Sequence, residues 1–235
     1  MNVARRLEAL AARYALSSDT AGALERLLAL LHADPTAPTT LRDPAAAVDA
    51  HLADALVALE LDAVRGARRI ADLGAGAGFP GLVLAAALPE ASVALVEANG
   101  RKCRFLARAA EDMGLANTEI VDARAESWAE GIASRDLVTA RAVAPLAVLV
   151  EYAAPLLAPA GALVAWKGRR DPEEERDGSA AAQVTGLELR EVRPVRPWNG
   201  AEHLHLHLYV KVASTPNRYP RRPGMASKRP LRAST

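Results

Sequence analysis

Ile70-Ala71-Asp72-Leu73-Gly74-Ala75-Gly76-Ala77-Gly78-Phe79-Pro80-Gly81 joins a short apolar run to a turn that holds four glycines within eight residues. Glycine reaches positive φ without steric cost and lets a ligand touch the backbone, so its density here needs a reason beyond chain economy. An apolar, helix-like run from Leu82 to Leu88 follows at once. Strand, glycine turn and helix in that order place a nucleotide-sized group over a helix start.

Working outward, apolar runs alternate with helical stretches. Strands are expected near 69–73, 92–97, 118–122, 137–140 and 162–167, and helices near 80–88, 101–114 and 144–157. This alternation is the pattern of parallel βαβ units. Leu187–Val195 and Leu204–Val212 come last with no long helix between them, which fits an antiparallel hairpin at a sheet edge. Ahead of the motif, Leu7, Leu10, Ala11 and Tyr14, then Leu24, Leu27, Leu28 and Leu31, recur at helical spacing. The expected organisation is a helical segment over 1–65, an α/β domain over 66–213 with a mostly parallel seven-stranded sheet, and a tail over 214–235.

Composition limits the classes of function. The chain has 235 residues and a formal net charge of +1, and no apolar run approaches the length of a bilayer span. Glu8 and Arg13 interrupt what would be a signal-peptide core after Arg5 and Arg6, so a cytoplasmic protein without membrane contact is expected. The single Cys103 excludes an internal disulfide and cannot alone form a zinc site. His203, His205 and His207 alternate along one run, but no carboxylate or cysteine pattern accompanies them, so no metal is expected. Glu173, Glu174 and Glu175 read as a solvated helix start, where carboxylates favour the helix dipole. Charge is concentrated at the end: Lys211, Arg218, Arg221, Arg222, Lys228, Arg229 and Arg232 come with four prolines and no acidic residue. Such a tail cannot build a core, and it reads either as a solvated end or as a phosphate-contacting arm.

The glycine turn fits two cofactor classes. Gly76, Gly78 and Gly81 satisfy the dinucleotide pattern G-x-G-x-x-G, and Glu97, ending the next apolar run, could bind a ribose. Read from Asp72, the same stretch is D-x-G-x-G, which resembles the S-adenosylmethionine loop of Rossmann-like methyltransferases. In that resemblance the methionine moiety lies over the turn and Glu97 holds the ribose hydroxyls.

Further segments carry a closer resemblance. The Phe79-Pro80-Gly81 extension, Val96-Glu97-Ala98, Arg101-Lys102, Arg104-Phe105-Leu106, Ala123-Arg124-Ala125-Glu126, Ala140-Arg141-Ala142-Val143-Ala144-Pro145-Leu146 and Trp166-Lys167-Gly168 come in family order at strand ends. Together with Asp72–Gly81 they are similar to the bacterial glucose-inhibited division protein B family, the 16S ribosomal RNA guanine-N7 methyltransferases. Tyr219-Pro220-Arg221-Arg222-Pro223-Gly224 is similar to a tail found in part of that family. The N-terminal side departs from the pattern: Ala33–Leu41 lacks the family's asparagines, while His51 and Asp54 are kept.

The resemblance implies a class I methyltransferase fold, S-adenosylmethionine as cofactor, and 16S ribosomal RNA or the small subunit as partner. It implies that Asp72, Gly74, Gly76, Gly78 and Phe79 form the cofactor turn, that Glu97 takes the ribose, and that Ala125 and Glu126 take the adenine. Arg141 would lie between cofactor and target base, with Lys167 and Arg124 on the same rim. A monomer is expected, with the basic tail from Lys211 touching RNA. Guanine N7 carries a lone pair and no proton, so its methylation needs alignment and no general base. Cys103 falls in a helix away from the expected pocket, which argues against a cysteine nucleophile. Two other readings stay open at this stage: a methyltransferase of small molecules, and a ribosome-associated RNA-binding protein without catalysis.

Overall fold

The computed structural model describes residues 2–233. Strands β1 (Arg69–Leu73), β2 (Ser92–Glu97), β3 (Thr118–Asp122), β4 (Arg135–Arg141) and β5 (Leu157–Lys167) are mutually parallel. Strand β7 (Leu204–Lys211) inserts antiparallel between β5 and β6 (Leu187–Val195), giving the order β3-β2-β1-β4-β5-β7-β6. The order reverses between β1 and β4, the place where open α/β sheets bind ligands beyond their C-terminal strand ends.

Each central strand divides its side chains between two apolar layers, as a period of two requires. Ile70, Val93, Leu95, Leu137 and Val164 face a layer formed with α1 (Val3–Tyr14), α2 (Ser18–Ala33), α6 (Gly81–Ala87) and α7 (Gly100–Met113). Ala71, Leu73, Ala94, Val96, Val138 and Leu163 face the other, which holds α8 (Leu146–Ala153) and α9 (Pro172–Thr185). The N-terminal helices therefore share a core with the sheet. Asn2 and Ser17 cap α1 and α2 by accepting from Arg5 N and Thr20 N at 3.0 and 3.1 Å. Leu24, Leu27, Leu28 and Leu31 of α2 are buried. Between α2 and β1 the chain makes short helical pieces, α3 (Pro44–Ala47), a π-helical stretch (Val48–Ala53), α4 (Asp54–Leu56) and α5 (Asp62–Arg65).

Three expectations are corrected. Helix α8 is shorter than the apolar pattern implied, beginning at Leu146 after Pro145 and ending before Pro155, and β5 starts at Leu157. The acidic run is not simply solvated. Glu174 pairs with Lys167, and Glu175 accepts from Arg170 Nε at 2.7 Å and hydrogen-bonds His207 Nε2 at 3.2 Å.

The tail is the third. It builds no core of its own but joins an existing one, with α10 (Met225–Lys228) lying against α8. Tyr219 and Ala226 are buried, and Leu231 packs on the α8 layer. Arg221 Nε donates to Glu151 Oε1 at 2.6 Å and its Nη2 to Glu151 Oε2, and Glu151 itself is only 2% exposed. Ala233 N donates to Asp177 Oδ1 at 3.0 Å, and the hydroxyls of Tyr152 and Ser227 share a hydrogen bond of 3.0 Å.

Candidate functional site

The glycine turn is pinned from behind by Asp72. Its carboxylate is fully buried, with Oδ2 accepting from Gly81 N at 2.9 Å and Oδ1 from Thr139 Oγ1 at 2.8 Å. Burial pushes this carboxyl up to about 7, against the opposing effect of the two donors. Asp72 thus fastens the turn to β4 and to the first residue of α6, and it has no open side on which to meet a ligand. Gly81 permits that fit, because a Cβ there would lie 2.3 Å from Leu95 Cδ2 and 2.7 Å from Asp72 Oδ2. Gly74 has φ +65°, and a Cβ on it would come within 2.8 Å of Val143 Cγ2, on the loop after β4. A Cβ on Gly78, at φ +92°, would strike Leu82.

Glu97 closes β2 and faces the front of the same turn. Its Oε2 accepts from Gly76 N at 3.1 Å and its Oε1 from Asn99 N at 2.9 Å. Two carboxylate oxygens offer about four acceptor sites, so both retain room for hydroxyl donors. At Gly76 a Cβ would meet only the Gly74 carbonyl, at 3.6 Å. An acceptor-rich carboxylate beside bare backbone is a fitting donor set for the ribose and methionine portions of S-adenosylmethionine. Cys103 lies behind this strand end, with Sγ donating to Glu97 O at 3.2 Å, and burial pushes its thiol up to about 11. It is inert at neutral pH.

The π-helical stretch and the first residue of α4 after it bring two unassigned residues, His51 and Asp54, to the site. The His51 ring stacks on Phe79 with centroids 4.3 Å apart, and the Arg141 guanidinium carbon lies 5.3 Å from the centre of the same Phe79 ring. Arg141 Nη1 donates to Asp54 Oδ2 at 2.6 Å and to Ala50 O at 3.1 Å. Trp166 Nε1 donates to Asp54 O at 2.8 Å, which locks the helical segment onto β5. Desolvation, with the neighbouring Arg141 charge, lowers His51 to about 4, so the imidazole is neutral at pH 7. Burial raises the Asp54 carboxyl while Arg141 opposes the shift. Sequence reasoning kept His51 and Asp54 as survivors of a pattern but gave them no role. The extra residue that a π turn inserts, common at functional sites, is what aims both at Arg141.

The remaining rim residues are dispersed. Lys167 does not project freely, since its Nζ is 2.5 Å from Glu174 Oε1 and donates to Ala144 O at 3.4 Å. Glu174 Oε1 also accepts from Leu146 N at 2.8 Å, so Lys167 and Glu174 together hold the loop between β4 and α8. Ala125 and Glu126 lie on a 3-10 turn after β3, and Glu126 Oε1 accepts from Gly224 N of the tail at 2.9 Å. Arg124 is exposed, and its side chain makes no hydrogen bond or ion pair among the described residues. The three histidines do not converge: His203 precedes β7, His205 Nδ1 contacts backbone carbonyls, and His207 is held by Glu175.

Residues 27–202 match the family model of rRNA small subunit methyltransferase G, GidB. The chain belongs to this family. A family relative from Rubrobacter xylanophilus, named ribosomal RNA small subunit methyltransferase G, is 43% identical over 81% of this chain and 76% of its own length. One of the same name from Desulfitobacterium hafniense is 39% identical over 82% and 81%. A solved S-adenosylmethionine-dependent methyltransferase from Aquifex aeolicus superposes with a TM-score of 0.51 at 17% identity, covering 62% of this chain and 82% of that one, which shows the shared fold. In this family's chain, then, the methyltransferase sheet carries the N-terminal helices on one face and the basic tail on the other.

Proposed function

We propose that the chain transfers a methyl group to N7 of a guanine in 16S ribosomal RNA, acting as a single chain in the cytoplasm. S-adenosylmethionine-dependent methylation of small-subunit ribosomal RNA follows from its family; the base atom and the residue roles are our reading. When bound, S-adenosylmethionine supplies an electrophilic methyl on a sulfonium. Gly74, Gly76, Gly78 and Phe79 line its methionine side, Glu97 receives the ribose hydroxyls, and Ala125 and Glu126 border the adenine. Asp72 supports these residues from behind the turn.

The observation that carries the N7 reading is the group around Phe79. His51 is neutral, and its Nε2 shares a hydrogen bond of 3.1 Å with Thr39 Oγ1. Asp54 is engaged by Arg141. These residues offer a flat apolar face and a cation, and none is free to remove a proton. That suits an atom with a lone pair and no hydrogen, for which alignment is the main requirement. Arg141 has five N–H donors, and those not used on Asp54, Ala50 and His51 can meet guanine O6 or a flanking phosphate, which leaves the N7 lone pair open to the methyl group. Lys167 acts as a positioning residue through Ala144, and Arg124 offers an unpaired cation at the rim.

The tail is proposed to touch RNA through Arg218, Arg222, Lys228, Arg229 and Arg232, which are exposed. Lys211 and Arg221 are used within the fold, the former donating to the carbonyls of Ala154 and Leu157 at 2.7 Å. The decisive experiment maps N7-methylguanosine in small-subunit ribosomal RNA from cells with and without this gene. One position should lose its methyl group in the deletion and regain it on complementation. An unchanged map would overturn the reading.

A further inference from the structure

A cleft of about 550 Å³ opens between the segment after α2 and the outer face of α7. Thr36 and Pro38 form one wall; Arg101, Lys102, Arg104 and Arg108 form the other, and no acidic or aromatic side chain lines it. We infer that this cleft holds the phosphodiester backbone of the RNA substrate beside the cofactor site, an inference that rests on the methyltransferase reading above.

Three observations converge on it. The Arg101 and Arg104 side chains are exposed and make no hydrogen bond or ion pair among the described residues, so their charge is available. Arg101 and Arg104 share one face of α7 about one turn apart, which presents two adjacent cations to a polymer of regularly spaced anions. Arg108 fixes the opposite wall, with Nη2 donating to Asp34 Oδ2 at 2.7 Å and Thr36 Oγ1 at 3.3 Å. The Asp34 carboxyl is held at about 2 by its bonds to Thr36 and Arg108, so this strut persists across neutral pH.

Place in the fold selects the ligand. Asn99 borders the cleft, and its N–H donates to Glu97, so the cleft adjoins the ribose end of the cofactor site. A polynucleotide that presents one base near Phe79 must carry its backbone across this rim. The cleft offers charge and no aromatic ring as a stacking platform, so it recognises backbone charge and leaves sequence to other contacts.

The test is the double variant Arg101→Ala/Arg104→Ala in the full chain, with Arg101→Lys/Arg104→Lys as the charge-keeping control. Affinity for a small-subunit ribosomal RNA fragment is measured at several salt concentrations, with calorimetric titration of S-adenosylmethionine alongside. The alanine variant should bind RNA about tenfold or more weakly, with the log–log salt slope reduced by about 1.4, while cofactor affinity stays level. The lysine variant should keep most of both RNA affinity and slope. Equal RNA affinity and slope in wild type and alanine variant overturn the inference and leave the methyltransferase reading standing. Parallel loss of cofactor affinity also overturns it, by making the cleft part of the cofactor site. A wild-type chain that neither binds nor methylates the RNA removes the reading beneath it.

Discussion

The glycine turn and the C-terminal tail both pack on the same sheet, yet they are fastened by opposite means. The turn is held by backbone groups: Gly74 N reaches Val96 O, Gly76 N reaches Glu97, and Gly81 N reaches Asp72. The tail is held mainly by isolated side chains, with Arg221, Ser227 and Leu231 each meeting one spot on the layer around α8. A backbone-built element tolerates few substitutions and keeps one shape. A side-chain-built one can be released in steps, so the two regions should fail differently.

The largest effect is expected at the turn. Gly74→Val places a β-branched residue at φ +65° with its Cβ against Val143, and it should abolish S-adenosylmethionine binding in a calorimetric titration. Retained tight binding would break the assignment of the turn. In the tail, Arg221→Ala leaves the buried Glu151 carboxylate unpaired and should cost about 3 kcal/mol in denaturant unfolding. The double variant Arg221→Met/Glu151→Leu should recover most of that loss, since an apolar pair can replace a buried ion pair. If Arg221→Ala is neutral, the tail is not anchored where the fold places it.

Between the two regions, Arg141→Ala should lower turnover by about a hundredfold at saturating substrates, the scale of misalignment alone. Asp54→Asn keeps the guanidinium and loosens only its orientation, so its loss should be smaller. Equal losses would mean that Arg141 acts only through Asp54.

The smallest effect is a pair of opposed pH slopes on the turn side. Asp72, raised to about 7, gives stability that is complete below pH 4 and disappears as pH rises through 7. His51, lowered to about 4, gives stability that is complete above pH 6.5 and disappears as pH falls through 4. The two nearly cancel in wild type. Asp72→Asn should therefore make stability rise with pH between 4 and 6.5, and His51→Phe should make it fall, by at most about 1.4 kcal/mol per pH unit. Solvent contact at His51 reduces the slope seen in Asp72→Asn, which is the histidine's own. Unfolding curves at pH 4.5, 5.5 and 6.5 read both, and parallel behaviour of the two variants would refute the assignment.

What the sequence revealed follows the same division. Strands β1, β2, β3 and β6 lie where the apolar runs placed them, because each run carries its own period and its own boundary residues. The turn was legible because its bonds to Asp72 and Glu97 span only 9 and 21 residues. The tail was not, because Glu151 and Glu126 lie 70 and 98 residues away from Arg221 and Gly224. Lys167 and Arg141 were found as rim residues, but their partners Glu174 and Asp54 depend on a helix cap and a π turn that no periodicity announces.

The shared core of α2 and α7 has a consequence for synthesis. Leu24, Leu27, Leu28 and Leu31 leave the ribosome about seventy residues before the helix that covers them, a delay of roughly 4–14 s at ordinary elongation rates. During that interval each nascent chain displays a bare leucine stripe, a ready ligand for the chaperones that meet new polypeptides at the exit tunnel.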